Sequence, residues 1–397
     1  MEKDKSARPS TSSSKTKKCE VVQFQPKVET YLRTRASEMA SSIHYFIDTV
    51  IDLIERGQET SNIKLFNKIF KPDSSQSDVF DNTVRKQIIN LVNGESSTVI
   101  VAGLPNSGKT YTFMGNKDNP GILPNAIKLL FDLVKEEREP KYKVTADNKI
   151  TALTKKTKET EREKRLNLCR IFGFFETQIY LNNSGSGVPP SNNGVDNDHK
   201  DLFSVWLSAV AYDGQQYTDL LTDKPCTIKT NMKDALYFNS DFIHVPTALE
   251  ACQILIDAKS KSEELRTQNF KPEIFFTFKL IKYQLKTSKS ERKPIEQKYC
   301  GTITFYCTSV NMFNMFNMKE MITSAKNFKD NFNHGMNSIR TYVSVNSSPI
   351  YSHDHIKMIL REALLGRQLV TFIGTIDVTP LSIIHFLHDL PILKPSS

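Results

Sequence analysis

The residues most clearly suited to chemistry form the segment Gly103-Leu104-Pro105-Asn106-Ser107-Gly108-Lys109-Thr110, which matches the GxxxxGK[ST] pattern of phosphate-binding loops. Its two glycines allow the backbone to turn and approach a phosphate chain, so that successive N–H groups point at phosphate oxygens. Lys109 would place a positive charge on the β- and γ-phosphates, and the Thr110 hydroxyl would be a Mg²⁺ ligand. The pattern predicts binding of nucleotide phosphates, since accidental matches occur in roughly 1% of chains of this size.

The sequence around this loop predicts the elements that position it. Residues 97–102 are almost all apolar, as in a buried central strand, and residues 111–114 after the loop are compatible with a helix. Other strand-like runs lie at 29–35, 203–210, 273–285, 301–307 and 369–377, and helical patterns at 79–92, 121–135, 248–260 and 356–365. This alternation predicts an α/β fold, with a central, mostly parallel, twisted sheet of about eight strands and helices on both faces.

Composition and charge restrict the possible partners. The 397 residues are 39% hydrophobic and 24% charged, as in a globular protein, and no apolar run approaches the roughly 20 residues of a membrane helix. The six cysteines lack metal-ligand spacing, so we expect reduced thiols. The net charge of +9 lies in two segments, because residues 1–27 have seven basic and three acidic residues and residues 141–165 have nine and four. Such charge is typical either of segments that bind an acidic partner or of disordered segments that are exposed to solvent.

These patterns predict one large domain over residues 28–390. A disordered basic arm, residues 1–27, precedes it, and a short tail, residues 391–397, follows. Residues 140–200 combine a highly charged stretch with Gly-, Asn- and Pro-rich turns, which indicates a long surface insertion inside the domain. We expect the basic part of this insertion, residues 141–165, to be flexible.

Around the phosphate loop the sequence resembles the kinesin motor head, and within that family the kinesin-6 (mitotic kinesin-like) type. Val79 to Val84 resembles the family's "VFE" helix, Asn106 to Thr112 its version of the loop, and Gly121 to Pro124 its "GIIP". Tyr31 to Arg35 stands at the family's first strand and "RxRP" adenine contact, with Ala36 in place of the proline. The resemblance implies a kinesin-type phosphate-loop NTPase head.

The resemblance also implies a ligand set and a partner. The ATP-binding residues would be Gly103, Leu104, Pro105, Asn106, Ser107, Gly108, Lys109, Thr110, Tyr111 and Arg35, with Thr110 on the metal. ATP or ADP with Mg²⁺ would be the cofactors. Microtubules would be the partner, reached through residues 1–27 and 141–165, and the location would be the cytoplasmic cytoskeleton, with the spindle as one site. We expect no membrane and no specific nucleic acid, and a monomer, because no coiled-coil heptads follow the head.

The two segments that sense the γ-phosphate in the family depart from its pattern here. The switch I residues "SSRSH" are replaced by residues 269–273, which have lost both hydroxyls and contain Pro272. In the switch II "DLAGSE", Thr308 replaces the aspartate that holds the Mg²⁺ water, and Asn311 replaces the glycine. The track-facing "PYRDSKLT" becomes residues 350–357, without its arginine and lysine. These changes predict weak or absent ATP hydrolysis and no processive movement.

Three functional hypotheses remain open on the sequence alone. The first is a pseudo-motor, a nucleotide-binding head that associates with microtubules and hydrolyses little or no ATP. The second is an active, microtubule-stimulated ATPase with divergent switches, in which Ser309 or Glu273 replaces the lost groups. The third is a pure protein-interaction module in which the phosphate loop is a relic.

Overall fold

The computed structural model describes residues 27–35, 66–103, 106–134, 139–169, 201–231, 235–267, 271–286, 295–308 and 368–377. Several predictions lie outside these residues: those on the arm, on Leu104 and Pro105, on Asn269, on the second half of the insertion, on residues 309–367 and on the tail. None of the helices within the described ranges is long and apolar enough to cross a membrane.

Strands and helices alternate along the described chain, as predicted. The strands are β1 (Lys27–Arg35), β2 (Lys68–Phe70), β3 (Ser97–Gly103), β4 (Tyr142–Val144), β5 (Ile150–Ala152), β6 (Asp201–Tyr212), β7 (Tyr217–Asp219), β8 (Lys224–Cys226), β9 (Ile228–Thr230), β10 (Leu236–Phe238), β11 (Ile243–His244), β12 (Glu273–Lys286), β13 (Ile295–Thr308) and β14 (Leu369–Asp377). The helices are α1 (Gln76–Thr83), α2 (Arg85–Val92), α3 (Lys109–Phe113), α4 (Ile122–Leu133), α5 (Lys155–Cys169) and α6 (Ala248–Glu264). The helix predicted over 79–92 is two helices, because the backbone departs from helical geometry at Val84 (φ −110°, ψ −25°).

A 10-stranded sheet forms the centre of the fold, with the order β2-β1-β14-β3-β13-β12-β6-β7-β8 and β11 paired to β6. The α/β architecture is confirmed, but the prediction of a mostly parallel sheet is wrong. Strands β2, β1, β14, β3 and β13 are parallel, whereas β13, β12, β6, β7 and β8 pair antiparallel. Parallel pairing needs a long crossover, and only eight residues separate β12 from β13, so these two form a hairpin.

The strand that precedes the phosphate loop is central, as predicted. All seven residues of β3 are buried, and it lies between β14 and β13. On one face, the core packs against α1, α2, α4 and α6, with Val99 and Val101 facing these helices. This burial on both sides explains why the run is almost entirely apolar.

The basic segment 141–165 is folded, so the prediction that it is flexible is wrong. Tyr142 and Val144 of β4 are buried against the sheet, and the Tyr142 ring meets the edge of Tyr283 at 5.3 Å. The Lys279 ammonium donates to two carbonyls of the β4–β5 turn at 2.8 Å each. Helix α5 buries Arg165, whose guanidinium contacts His244 at 3.2 Å. These contacts could not be predicted from the charge pattern, because α5 buries only a few residues along one side and exposes most of its charged residues.

Candidate phosphate-binding site

The phosphate loop begins at the carboxyl end of β3 and ends where α3 starts at Lys109. Three of its described residues have positive φ: Gly103 at 156°, Asn106 at 64° and Gly108 at 94°. Alternation of left- and right-handed backbone turns successive N–H groups towards one concave side, which forms an anion-binding nest. The two glycines therefore stand where the motif requires them, and Asn is one of the few other residues that tolerates the left-handed region.

The base of the loop is held by Thr375 at the end of β14, a residue that the motif does not predict. Thr375 Oγ1 lies 2.7 Å from Ser107 Oγ and donates to the Ala102 carbonyl at 3.2 Å. A Cβ atom at Gly103 would collide with the Thr375 carbonyl and with Ser107 Oγ. The loop thus lies directly against β14, and only a glycine fits at its first position.

Arg35, the last residue of β1, also contacts the loop. Its Nη1 donates to the Asn106 carbonyl at 2.8 Å, although 71 residues separate the two in sequence. This contact fixes the left-handed residue of the loop. The guanidinium of Arg35 therefore lies beside the loop, and its contact with adenine stays a prediction.

Lys109 is the first residue of α3 and is only 6% exposed. Burial lowers the pKa of its ammonium to about 8; the neighbouring Cys307 opposes this shift and Lys271 adds to it. Burial also raises the pKa of the Cys307 thiol, while the Lys109 charge lowers it. A partly desolvated ammonium forms strong, charge-assisted hydrogen bonds with a phosphate ligand.

Thr110 and Tyr111 stand on the outer side of the loop. Thr110 is exposed, so its hydroxyl can reach a bound metal, and Tyr111 is 41% exposed. Below the Tyr111 ring, the Arg33 guanidinium lies 5.2 Å from the ring centroid. Arg33 Nη1 donates to Gln76 Oε1 at 2.6 Å, and Gln76 Nε2 donates to the Tyr111 carbonyl at 2.7 Å. Sequence patterns gave no sign of this buried support.

The two positions where the family has its γ-phosphate sensors lie at the ends of the inner strands β13 and β12, beside the loop. Thr308 ends β13 next to Ala102 of β3, and Glu273 begins β12 beside it. Thr308 Oγ1 donates to Glu273 Oε1 at 2.5 Å, and the Tyr306 hydroxyl donates to Glu273 Oε2 at 2.7 Å. The Thr308 hydroxyl therefore points into the protein, at 3% residue exposure, rather than to the loop.

Strand alternation separates Glu273 from the phosphate loop. Phe113 of α3 stacks on Phe276, and Cys307 lies near Lys109, so both Phe276 and Cys307 face the α3 side of the sheet. Glu273, Tyr306 and Thr308 alternate with these residues and point to the opposite face. The buried carboxylate consequently does not lie beneath Lys109.

The structure brings together eight of the ten residues assigned from the sequence, all in or beside the loop: Arg35, Gly103, Asn106, Ser107, Gly108, Lys109, Thr110 and Tyr111. Leu104 and Pro105 lie outside the described residues. The backbone nest, the buried ammonium and the exposed Thr110 hydroxyl fit a nucleotide polyphosphate with its metal ion. In the described ranges, no three His, Cys, Asp or Glu side chains cluster as a metal site.

Comparison with known proteins agrees with this geometry. The sequence profile of the family described as "Kinesin motor domain" matches residues 7–270. The chain is 42% identical over 71 residues to the mouse kinesin-like protein KIF20B, and 39% identical over 89 residues to the kinesin-related protein SMY1 of Saccharomyces cerevisiae. These matches span 18% and 22% of this chain but only 4% and 14% of the relatives.

Two solved structures have the same fold. One, titled "kinesin 6", has a TM-score of 0.62 at 14% identity and covers 92% of this chain and 98% of its own. The other, titled "Structure of a fast kinesin: Implications for ATPase mechanism and interactions with microtubules", has a TM-score of 0.50 at 13% identity, covering 92% and 90%. At such identities the likeness concerns the fold alone.

Proposed function

Because this chain belongs to the kinesin motor-domain family, we propose that it is a nucleotide-binding head that associates with microtubules and hydrolyses little or no ATP. ATP or ADP would be held by the loop backbone, by Lys109 and by Thr110, with Arg35 and Tyr111 beside the base. When bound, Mg²⁺ would neutralise phosphate charge next to the Thr110 hydroxyl. A working motor of this family couples that site to two switch segments, and the proposal departs from the family at this point.

The observation that carries the proposal is the Thr308 hydroxyl. It stands where the family has the aspartate that holds the Mg²⁺ water, yet it donates to Glu273 in the interior at 2.5 Å. Phosphoryl transfer depends on positioned charge and hydrogen bonds around the γ-phosphate. A site with an intact phosphate loop and no such carboxylate can bind a nucleotide and still fail to activate water.

The active-ATPase alternative needs another group in place of the aspartate. Glu273 was one candidate, but its carboxylate, on the same sheet face as Thr308, is already engaged by hydrogen bonds from Tyr306 and Thr308. Ser309, the other candidate, lies outside the described residues. The relic-module alternative is disfavoured by the loop itself, since its positive-φ residues keep the backbone of an anion-binding nest and Lys109 stands at the start of α3.

Nucleotide affinity is expected to fall as the pH rises from 7 to 9. Lys109 must be protonated to attract phosphate, and its pKa of about 8 means that the charged fraction drops from about 90% to about 10% over this range. Affinity should then decrease by up to about tenfold per pH unit above 8, with proton uptake on binding. Titration of a fluorescent ADP analogue at each pH measures this dependence.

A control is needed because Lys279 also has a pKa of about 8, lowered by burial. Lys279 lies under the β4–β5 turn, away from the loop. The variant Lys279→Met should therefore keep the pH dependence, provided that its melting temperature shows it folded. A flat pH profile in the unmodified head, or loss of the dependence in this variant, would contradict the role of Lys109.

Microtubule association is expected to be electrostatic and to fall sharply as salt rises. The tubulin surface is acidic, and exposed charges are screened over about 8 Å at 0.15 M salt. The folded helix α5 presents four exposed cations, one of which, Lys164, lies 3.9 Å from the buried Glu161, whose shorter contact with Lys143 at 2.7 Å is kept when Lys164 is neutralised. These cations are Lys155, Lys156, Arg162 and Lys164.

We expect deletion of residues 1–27 together with glutamine at these four α5 positions to remove most co-sedimentation with microtubules at 50 mM salt. The control combines the same deletion of residues 1–27 with glutamine at four exposed lysines outside α5, so that both variants lose the same charge: Lys71, Lys86, Lys117 and Lys224. If the control weakens binding equally, net charge rather than α5 is responsible. Binding that persists in 0.3 M salt and in the combined variant would place the contact elsewhere on the head.

A further inference from the structure

One buried side-chain cluster takes no part in the proposed nucleotide contacts. Glu273 is 5% exposed, and its carboxylate accepts hydrogen bonds from Tyr306 at 2.7 Å and from Thr308 at 2.5 Å. The Tyr306 ring is fully buried and stacks on Phe275, with ring centroids 4.3 Å apart and planes within 4°. The cluster is therefore rigidly packed on the sheet face opposite α3.

The hydrogen bonds of Glu273 connect the segment at the switch I position with the strand that leads to the switch II position. Glu273 is the last residue of the segment 269–273 at the switch I position, and Thr308 stands at the first residue of switch II. Ile274 pairs with Cys307 in the antiparallel hairpin, so Glu273 and Thr308 are opposite each other at its end. Thr308 in turn pairs with Ala102, one residue before the phosphate loop.

Separating these ends would be costly. A buried carboxyl group that has lost its hydrogen-bond partners pays the desolvation penalty of its polar atoms without compensation. The hairpin end is consequently held in one arrangement by groups outside the proposed nucleotide contacts.

We propose that Glu273 is a latch that fixes the switch I position to the switch II strand in every nucleotide state, so that the head keeps one conformation whether ADP or ATP is bound. Glu273 is a positioning residue in this scheme, not a catalytic one. The part of the proposal that concerns nucleotide state rests on the proposed function, whereas the latch itself belongs to the fold. A γ-phosphate can shift a conformational equilibrium only by its differential contacts with the two states, and the latch opposes that shift.

Hydrogen–deuterium exchange of the full chain without nucleotide tests the latch directly. In Thr308→Val, which removes the hydroxyl at nearly constant volume, exchange should rise about tenfold or more at both 273–280 and 300–308. Thr308→Ser keeps the hydroxyl and should exchange like the unmodified protein. Tyr306→Phe removes the other donor and should affect the same two segments, and it serves if Thr308→Val fails to fold. A rise confined to 300–308, or no rise in either variant, would overturn the latch.

The same measurement with ADP and with a non-hydrolysable ATP analogue tests the nucleotide part. The unmodified protein should show equal exchange of 273–280 and 300–308 with both ligands, and a difference of more than about twofold would contradict the proposal. Retention of fluorescent ADP is measured in parallel. If ADP is not retained, the proposed function fails, while the ligand-free variants still decide whether the latch exists.

Discussion

Replacement of Lys109 with alanine is expected to weaken ADP and ATP binding by about a hundredfold, which corresponds to roughly 2.7 kcal/mol. The Lys109 ammonium is buried at the start of α3 and has the lowered pKa of a charge held away from water. Charge-assisted hydrogen bonds to phosphate would release that stored cost on binding, and alanine cannot supply them. Equilibrium titration with a fluorescent ADP analogue measures the loss.

The fold of the Lys109→Ala variant should remain intact. Alanine favours helices and Lys109 is the first residue of α3, so the variant without nucleotide should still unfold in one cooperative thermal transition. Lys86→Ala provides a control, because Lys86 is an exposed lysine on α2, away from the loop. Equal ADP affinity in the Lys109→Ala and Lys86→Ala variants would show that the phosphate loop does not bind nucleotide.

ATP turnover is expected to be at or near background, with little stimulation by microtubules. Loss of one donor aimed at the transition state typically costs about 10²–10³ in rate, and here both switch positions are altered. In the structure the Thr308 hydroxyl is already hydrogen-bonded to Glu273, and the same carboxylate also accepts a hydrogen bond from Tyr306. Such losses act as one unit and do not simply multiply.

Phosphate release at saturating ATP, with and without microtubules, measures this turnover. The Lys109→Ala variant sets the background, since a contaminating ATPase would contribute equally to both preparations. A rate of about one per second or more that microtubules raise severalfold, and that Lys109→Ala abolishes, would identify an active motor instead.

The sequence by itself determined the parts of this protein that depend on contiguous residues. The phosphate loop, the buried strand β3 before it and the helix after it follow from one short stretch of sequence. Glycines there allow the backbone angles of the loop, and apolar residues there allow burial of the strand. The strand β14 and the helix α6 were also predicted, with α6 extending four residues further than its pattern. Local propensity and periodicity were sufficient for these elements.

Tertiary structure alone decided which distant residues complete the site. Thr375 meets Ser107 across 268 residues of sequence, Arg33 meets Gln76 across 43, and Glu273 meets Thr308 across 35. None of these pairs has a local pattern, since their contact depends on strand order and register, which arise from packing of the whole sheet. The same reason explains why segment 141–165 was not predicted to be folded. Most of its charged residues lie on the solvent side of α5, and its few buried side chains can be recognised only once the surface that they pack against is known.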